Sequence, residues 1–246
     1  MVDSNQPPKS DFNSIAWLAL LTGLLPFCVV NLSYLGSASA GHVSWCFPYL
    51  QGCTSISAAG RYGFSYFFFK AGMIPAAIVM GAFWMACRRW LLRLGDTDGR
   101  MLRAMACLGF ISAAFLILYT VFLGSKGDVY NFMRRTGVIV YFSFSYLAQL
   151  ILLARLQHLQ VKKLIDIPAY ITQGKMFVVV GLLVIGLGSI PISNFVVDKH
   201  QPENAVEWSY ALLMVIYYFF TWRACRHIAL QQASLQEGSR RSEQES

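Results

Sequence analysis

Residues 15–32 read IAWLALLTGLLPFCVVNL. The run holds no charged side chain, and its apolar residues cover all sides of a helix. A helix that crosses the hydrocarbon core of a bilayer needs roughly 20 such residues. A helix on a soluble core would instead keep one polar face. The run is long for the apolar part of a signal peptide, and no basic segment leads into it. A cleavable signal is therefore not expected, although Ser37–Ala40 (SASA) carries the small residues of a cleavage site.

Five further apolar runs follow, at about 66–87, 102–124, 136–156, 177–197 and 205–224. Between them the charges gather in short clusters. Of the 246 residues 56% are hydrophobic and 13% charged, against about 25% charged in a soluble domain. The pattern gives an all-α, polytopic membrane protein with six transmembrane helices. Residues 14–226 form the six-helix domain, with an outer loop at 33–65. Residues 1–13 and 227–246 read as polar tails.

Six spans place both termini on one side, and the Lys/Arg distribution says which. The tails and the connections after the second and fourth runs hold fourteen of the 20 basic residues. The other side holds Arg61, Lys70, Lys126, Arg134, Arg135 and Lys199. Both termini are thus expected in the cytoplasm, and the 33–65 loop outside. The net charge of +8 has its source in these connections. No basic stripe interleaved with aromatics lies outside the spans, which excludes nucleic acid as a partner. The expected partners are membrane lipids, with other membrane proteins beside them. The expected location is the plasma membrane or a bacterial inner membrane. The two halves show no internal repeat, which weighs against an inverted-repeat transporter.

The loop SWCFPYLQGCTSISAAGRYG, residues 44–63, holds the chemistry-bearing residues. Cys46 and Cys53 flank Pro48 and Gly52, which favour a turn. A disulfide suits an oxidising compartment; two free thiols, or a zinc site with His42, are the other readings. Three ligands are too few for a closed zinc centre, so neither a metal nor a cofactor is expected. Cys28, Cys87, Cys107 and Cys225 lie in or beside apolar runs and read as packing residues.

Charges at the outer ends of the spans need an account. Lys70 lies about a turn inside the second run, where it can snorkel outwards or meet a lipid phosphate. Arg134 and Arg135 open the fourth run, against the positive-inside bias and against the helix dipole. Asp128, Glu203 and Glu207 fall on the same side. These residues form either a structural ion-pair network or a phosphate head-group site, since guanidinium matches phosphate in fork geometry. Glu207 is expected within ion-pair distance of Arg61, Lys70, Arg134 or Arg135. Glu207 and Trp208 also suit the first turn of an interfacial helix. Ser55, Ser57, Asp198 and His200 could assemble a hydrolytic centre, but their spacing matches no known nucleophile motif. No P-loop or HExxH helix is present.

Three stretches carry a family resemblance. FPYLQGCTSISAAGRYGFSYFFF, from Phe47, followed by KAGMIPA, resembles the first outer loop and second helix of the Frag/DRAM/Sfk family. That family includes the damage-regulated autophagy modulators and a GPI-anchor remodelling factor. NAVEWSYALLMVIYYFFTWRAC, from Asn204, resembles its last helix through Asn204, Ala205, Glu207, Trp208, Tyr217 and Phe220. RRTGVIVYF, from Arg134, resembles a His-x-x-Gly-Ala pattern with arginine in place of histidine. A role that needs a titrating imidazole there does not carry over. The family's proline near Tyr62 and Gly63 is also missing. The resemblance implies six helices and a role in organising lipids or assisting lipid-linked factors at the outer face. The alternatives are a lipid-modifying enzyme of the outer leaflet and a transporter or channel.

Overall fold

The structure is a computed structural model that describes the backbone of residues 9–195 and 200–244, and the side chains of 14–189 and 200–234. Among the described residues there are eight helices and no strand. They are α1 (Lys9–Ser39), α2 (Pro48–Gln51), α3 (Ile56–Ala59), α4 (Gly63–Arg93), α5 (Gly99–Phe122), α6 (Asp128–Val161), α7 (Ala169–Phe195) and α8 (His200–Gln244).

Five of these helices, α1 and α4 to α7, are long and apolar enough to cross a membrane. They mark a multi-pass membrane protein. Their outward sides suit lipid: Phe177 is 78% exposed and Val184 63%. The sixth apolar run, 205–224, lies on α8, which falls outside that group. Its hydropathy is diluted by Glu207, Trp208, Tyr210, Tyr217 and Tyr218. Most of these face inward, and Trp208, Tyr217 and Tyr218 are buried.

The long helices close a ring. α1 packs on α4 and α8, α4 on α5, α5 on α6, α7 on α8, and α6 meets α7. Polar side chains join neighbours inside this ring, as happens where water is absent. Ser112 of α5 bonds Ser145 of α6. Lys175 of α7, buried, donates to Thr221 Oγ1 of α8 at 2.9 Å and lies over the Tyr217 ring at 4.2 Å. Gly137 lets α6 press against α5, for a Cβ there would sit 3.0 Å from the Tyr119 backbone. Pro26 and Pro75 lie within α1 and α4, as membrane helices tolerate.

The helices extend past the apolar runs that announced them. α1 begins at Lys9, inside the expected 1–13 tail; residues 1–8 lie outside the described residues. It continues to Ser39, and α4 begins at Gly63, so the 33–65 loop shrinks to 40–62, which holds the short helices α2 and α3. α6 begins at Asp128 rather than near Thr136. Hydropathy marks the part of a helix that lipid surrounds, whereas backbone hydrogen bonding continues into the interface. As a result Asp128 occupies the first turn of α6, where the dipole favours an acid. Arg134 and Arg135 lie in its second turn, so the dipole conflict expected from a helix start at these arginines does not arise.

Candidate functional site

The loop between α1 and α4 is folded by local chemistry. Pro48 opens α2, where its missing N–H is no loss, and Gly52 closes it at φ +58°. Ser55 caps α3, its hydroxyl accepting from the Ala58 N–H at 3.1 Å. Cys46 and Cys53 are joined in a disulfide with a Cα–Cα distance of 6.4 Å, inside the usual range. It takes both sulfurs that the free-thiol and zinc readings needed. The Tyr34 hydroxyl, from α1, accepts from the Cys46 N–H and donates to its carbonyl, each at 2.8 Å.

The N-terminal part of α8 then holds this loop through the loop's backbone. Asn204 Nδ2 donates to the Gly52 carbonyl at 2.9 Å, and Trp208 Nε1 to the Thr54 carbonyl at 2.8 Å. Ser209 Oγ donates to the Tyr49 carbonyl at 3.1 Å. The Ile56 N–H donates to Glu207 Oε2 at 3.4 Å. The Trp208 ring packs edge-on against Tyr34 and Tyr49, with centroids 5.8 and 5.2 Å away. Gly52 permits this approach, because a Cβ there would lie 1.8 Å from the Gln201 carbonyl oxygen. Gly52→Ala is therefore expected to release the loop from α8. Loss of at least 1 kcal/mol of stability should accompany it, with faster proteolysis in residues 44–62. Unchanged melting and cleavage would contradict this docking.

Beside the docked loop, α6 and α8 part. Deeper in the bundle they touch where Phe142 meets Tyr210, at 5.1 Å, and where the Tyr217 hydroxyl donates to the Gln149 carbonyl. Towards the loop a cleft of about 890 Å³ opens between α6, α7 and α8. Arg134, Arg135, Val138, Ile139 and Phe142 line it from α6. Glu203, Asn204, Glu207 and Tyr210 line it from α8, with Ser57 and Tyr119 behind. A smaller, largely apolar cavity of about 50 Å³ shares Tyr119, Val138, Phe142 and Glu207 with it.

The expected cluster is thus only partly assembled. Arg134, Arg135 and Glu207 face the same cleft. Arg61 stands behind it, its Nη2 donating to Ser57 Oγ at 3.2 Å. Lys70 is turned elsewhere: its Nζ donates to the Tyr66 hydroxyl at 2.6 Å and to the Val121 carbonyl at 3.0 Å. That places it on the carbonyl end of α5, where a cation is favoured. Asp128 is exposed at the start of α6. Glu207 makes no ion pair with Arg61, Lys70, Arg134 or Arg135; the ion pairs shown among the described residues join Arg155 to Asp96 and Asp98. A backbone N–H supplied by the docked loop is its partner instead.

The hydrolytic constellation does not form among the described residues. Ser55 and Ser57 hydrogen-bond each other at 3.1 Å and serve the α3 cap and Arg61. His200 is exposed at the start of α8, and Asp198 lies outside the described residues. Sequence reasoning missed Tyr119, Phe142 and Tyr210. All three sit in apolar runs and look like ordinary bilayer aromatics until the helices are placed. No protein-family model, curated protein or solved structure matches this chain.

Proposed function

We propose that this is a six-span membrane protein with both termini in the cytoplasm, and that it binds a membrane lipid at its outer face. The observation that carries the reading is the cleft between α6 and α8. It has the volume of a small-molecule site. Two arginines line it beside an apolar wall of Val138, Ile139 and Phe142, and neither pairs with an acid among the described residues. Guanidinium forks suit phosphate oxygens, and the apolar wall suits the start of an acyl chain. The resemblance of the loop and of α8 to the Frag/DRAM/Sfk family points the same way. A role in organising lipids, or in assisting lipid-linked factors, follows from holding a lipid there. The location that goes with this reading is the plasma membrane or a bacterial inner membrane.

In this reading α8 is the sixth span, with Trp208, Tyr217 and Tyr218 buried in the bundle and Glu207 turned to the cleft. Single reporter cysteines test the topology. A cysteine at Ser125 is expected to react with an impermeant maleimide added outside intact cells, and one at the exposed Thr97 only after lysis. The opposite labelling pattern would sink the orientation.

Native mass spectrometry after gentle detergent extraction tests the site. The wild-type chain is expected to keep phospholipid adducts, and Arg134→Ala/Arg135→Ala to lose most of them, about tenfold or more. Equal retention by a folded double variant would remove the cleft as the binding place.

A further inference from the structure

The cleft carries both signs of charge, on opposite walls. α6 brings Arg134 and Arg135; α8 brings Glu203 and Glu207. No ion pair joins the two sets. Arg134 Nη2 donates to Asn131 Oδ1 at 3.1 Å, and Glu207 accepts from the Ile56 N–H. Charges held apart across an open space suit a ligand that brings the complement of each.

A purely anionic head group would meet the arginines but also two carboxylates. A cation alone would meet two guanidiniums. A zwitterion that carries both a phosphate and an ammonium offers each wall its complement.

A third observation concerns Tyr119. It is 4% exposed and lines the cleft, and its hydroxyl has no hydrogen-bond partner. That hydroxyl lies within electrostatic reach of Glu207, Arg134 and Arg61. A buried hydroxyl without a partner is costly, and it asks for a donor or acceptor from a ligand. A primary ammonium offers N–H donors to the hydroxyl oxygen and to the carboxylates. A quaternary ammonium offers none and is held by aromatic cages instead. Of the three rings that line the cleft, Tyr119, Phe142 and Tyr210, the last two are turned edge to face on each other.

We propose that the cleft selects an aminophospholipid of the phosphatidylethanolamine type. Its phosphate lies toward Arg134 and Arg135, and its primary ammonium toward Glu203, Glu207 and the Tyr119 hydroxyl. Ile139, more than half exposed on the apolar wall, leads the acyl chains out to the bilayer. This assignment rests on the cleft being a lipid site.

The test is a competition in native mass spectrometry. The full-length protein is loaded with an equimolar mixture of phosphatidylethanolamine, phosphatidylcholine and phosphatidylglycerol of matched chains. Wild type is expected to retain phosphatidylethanolamine over each of the others by roughly tenfold. Glu203→Gln/Glu207→Gln should keep binding lipid but lose that preference. Glu203→Gln alone, in a partly exposed first turn, should weaken the preference and serves if the double variant does not fold. Equal or stronger retention of phosphatidylglycerol or phosphatidylcholine by wild type would overturn the aminophospholipid assignment while leaving the cleft a lipid site. So would an unchanged preference in a folded glutamate variant. Displacement of the lipid by equimolar soluble phosphoethanolamine would overturn the lipid as the natural source of the head group. If Arg134→Ala/Arg135→Ala retains all three lipids like wild type, the lipid-site reading itself fails.

Discussion

Replacing Arg155 by alanine is expected to destabilise the protein by about 3–5 kcal/mol, the range for breaking a buried ion pair from one side. Arg155, on α6, reaches the turn between α4 and α5. Its Nε donates to Asp96 Oδ2 at 2.8 Å, its Nη2 to Asp96 Oδ1, and its Nη1 to Asp98 Oδ2 at 3.3 Å. The Asp96 side chain is fully buried. It also accepts from the Asp98 N–H at 3.0 Å, while Asp98 caps α5 by accepting from the Met101 N–H. Without the guanidinium, a buried carboxylate keeps one backbone donor and loses its counter-charge. Arg155→Lys should recover part of the loss, because an ammonium restores charge but not the fork. Denaturant unfolding in detergent, followed by tryptophan fluorescence, measures this. A loss below about 1 kcal/mol would mean the pair is no stronger than an exposed one.

The same pair sets an acid limit. Burial pushes the Asp96 carboxyl up, but the Arg155 bonds, the Asp98 N–H and nearby positive charge outweigh it and hold it below its ordinary value of 3.8. A carboxyl depressed in the folded state adds stability above its unfolded pKa, and that stability is lost as pH falls through the folded value. Wild type should therefore lose stability as pH drops below about 4, and Asp96→Asn should lose less over the same window. Parallel curves would assign the acid sensitivity to other carboxyls.

Trp208→Ala is the second change with a large expected effect. Trp208 is fully buried where α8 meets α1 and the loop. Truncating a buried Trp to Ala costs about 3–5 kcal/mol through lost transfer energy and the cavity left behind. The Thr54 carbonyl would also lose its donor, which adds about 1 kcal/mol. Trp208→Phe keeps most of the packing and should cost mainly the hydrogen bond. The loop is expected to loosen in Trp208→Ala, so the Cys46–Cys53 disulfide should reduce faster in mild thiol than in wild type. If reduction and melting match wild type, Trp208 does not anchor the loop.

The sequence by itself determined the membrane class and the approximate place of every long helix. A bilayer selects for local composition, so runs such as Ile15–Leu32 declare themselves without a partner. The Cys46–Cys53 bridge was within reach for a similar reason: seven positions apart with Pro48 and Gly52 between them, the two sulfurs can meet only in a tight turn. The sixth run was visible as a helix, but Glu207, Trp208 and its tyrosines mix signals that lipid exposure and bundle burial would each explain.

Only the tertiary structure decided which charges share a site. Arg134, Arg135 and Glu207 come from helices far apart in sequence and meet because α6 and α8 part beside the docked loop. Lys70, of the same charge and expected on the same side, turns instead to the end of α5. Glu207 finds the Ile56 N–H, a donor that exists only once α3 is folded against α8. Side-chain identity sets what a residue can bind, but the crossing and parting of helices set what lies within reach, and that depends on packing across the whole ring.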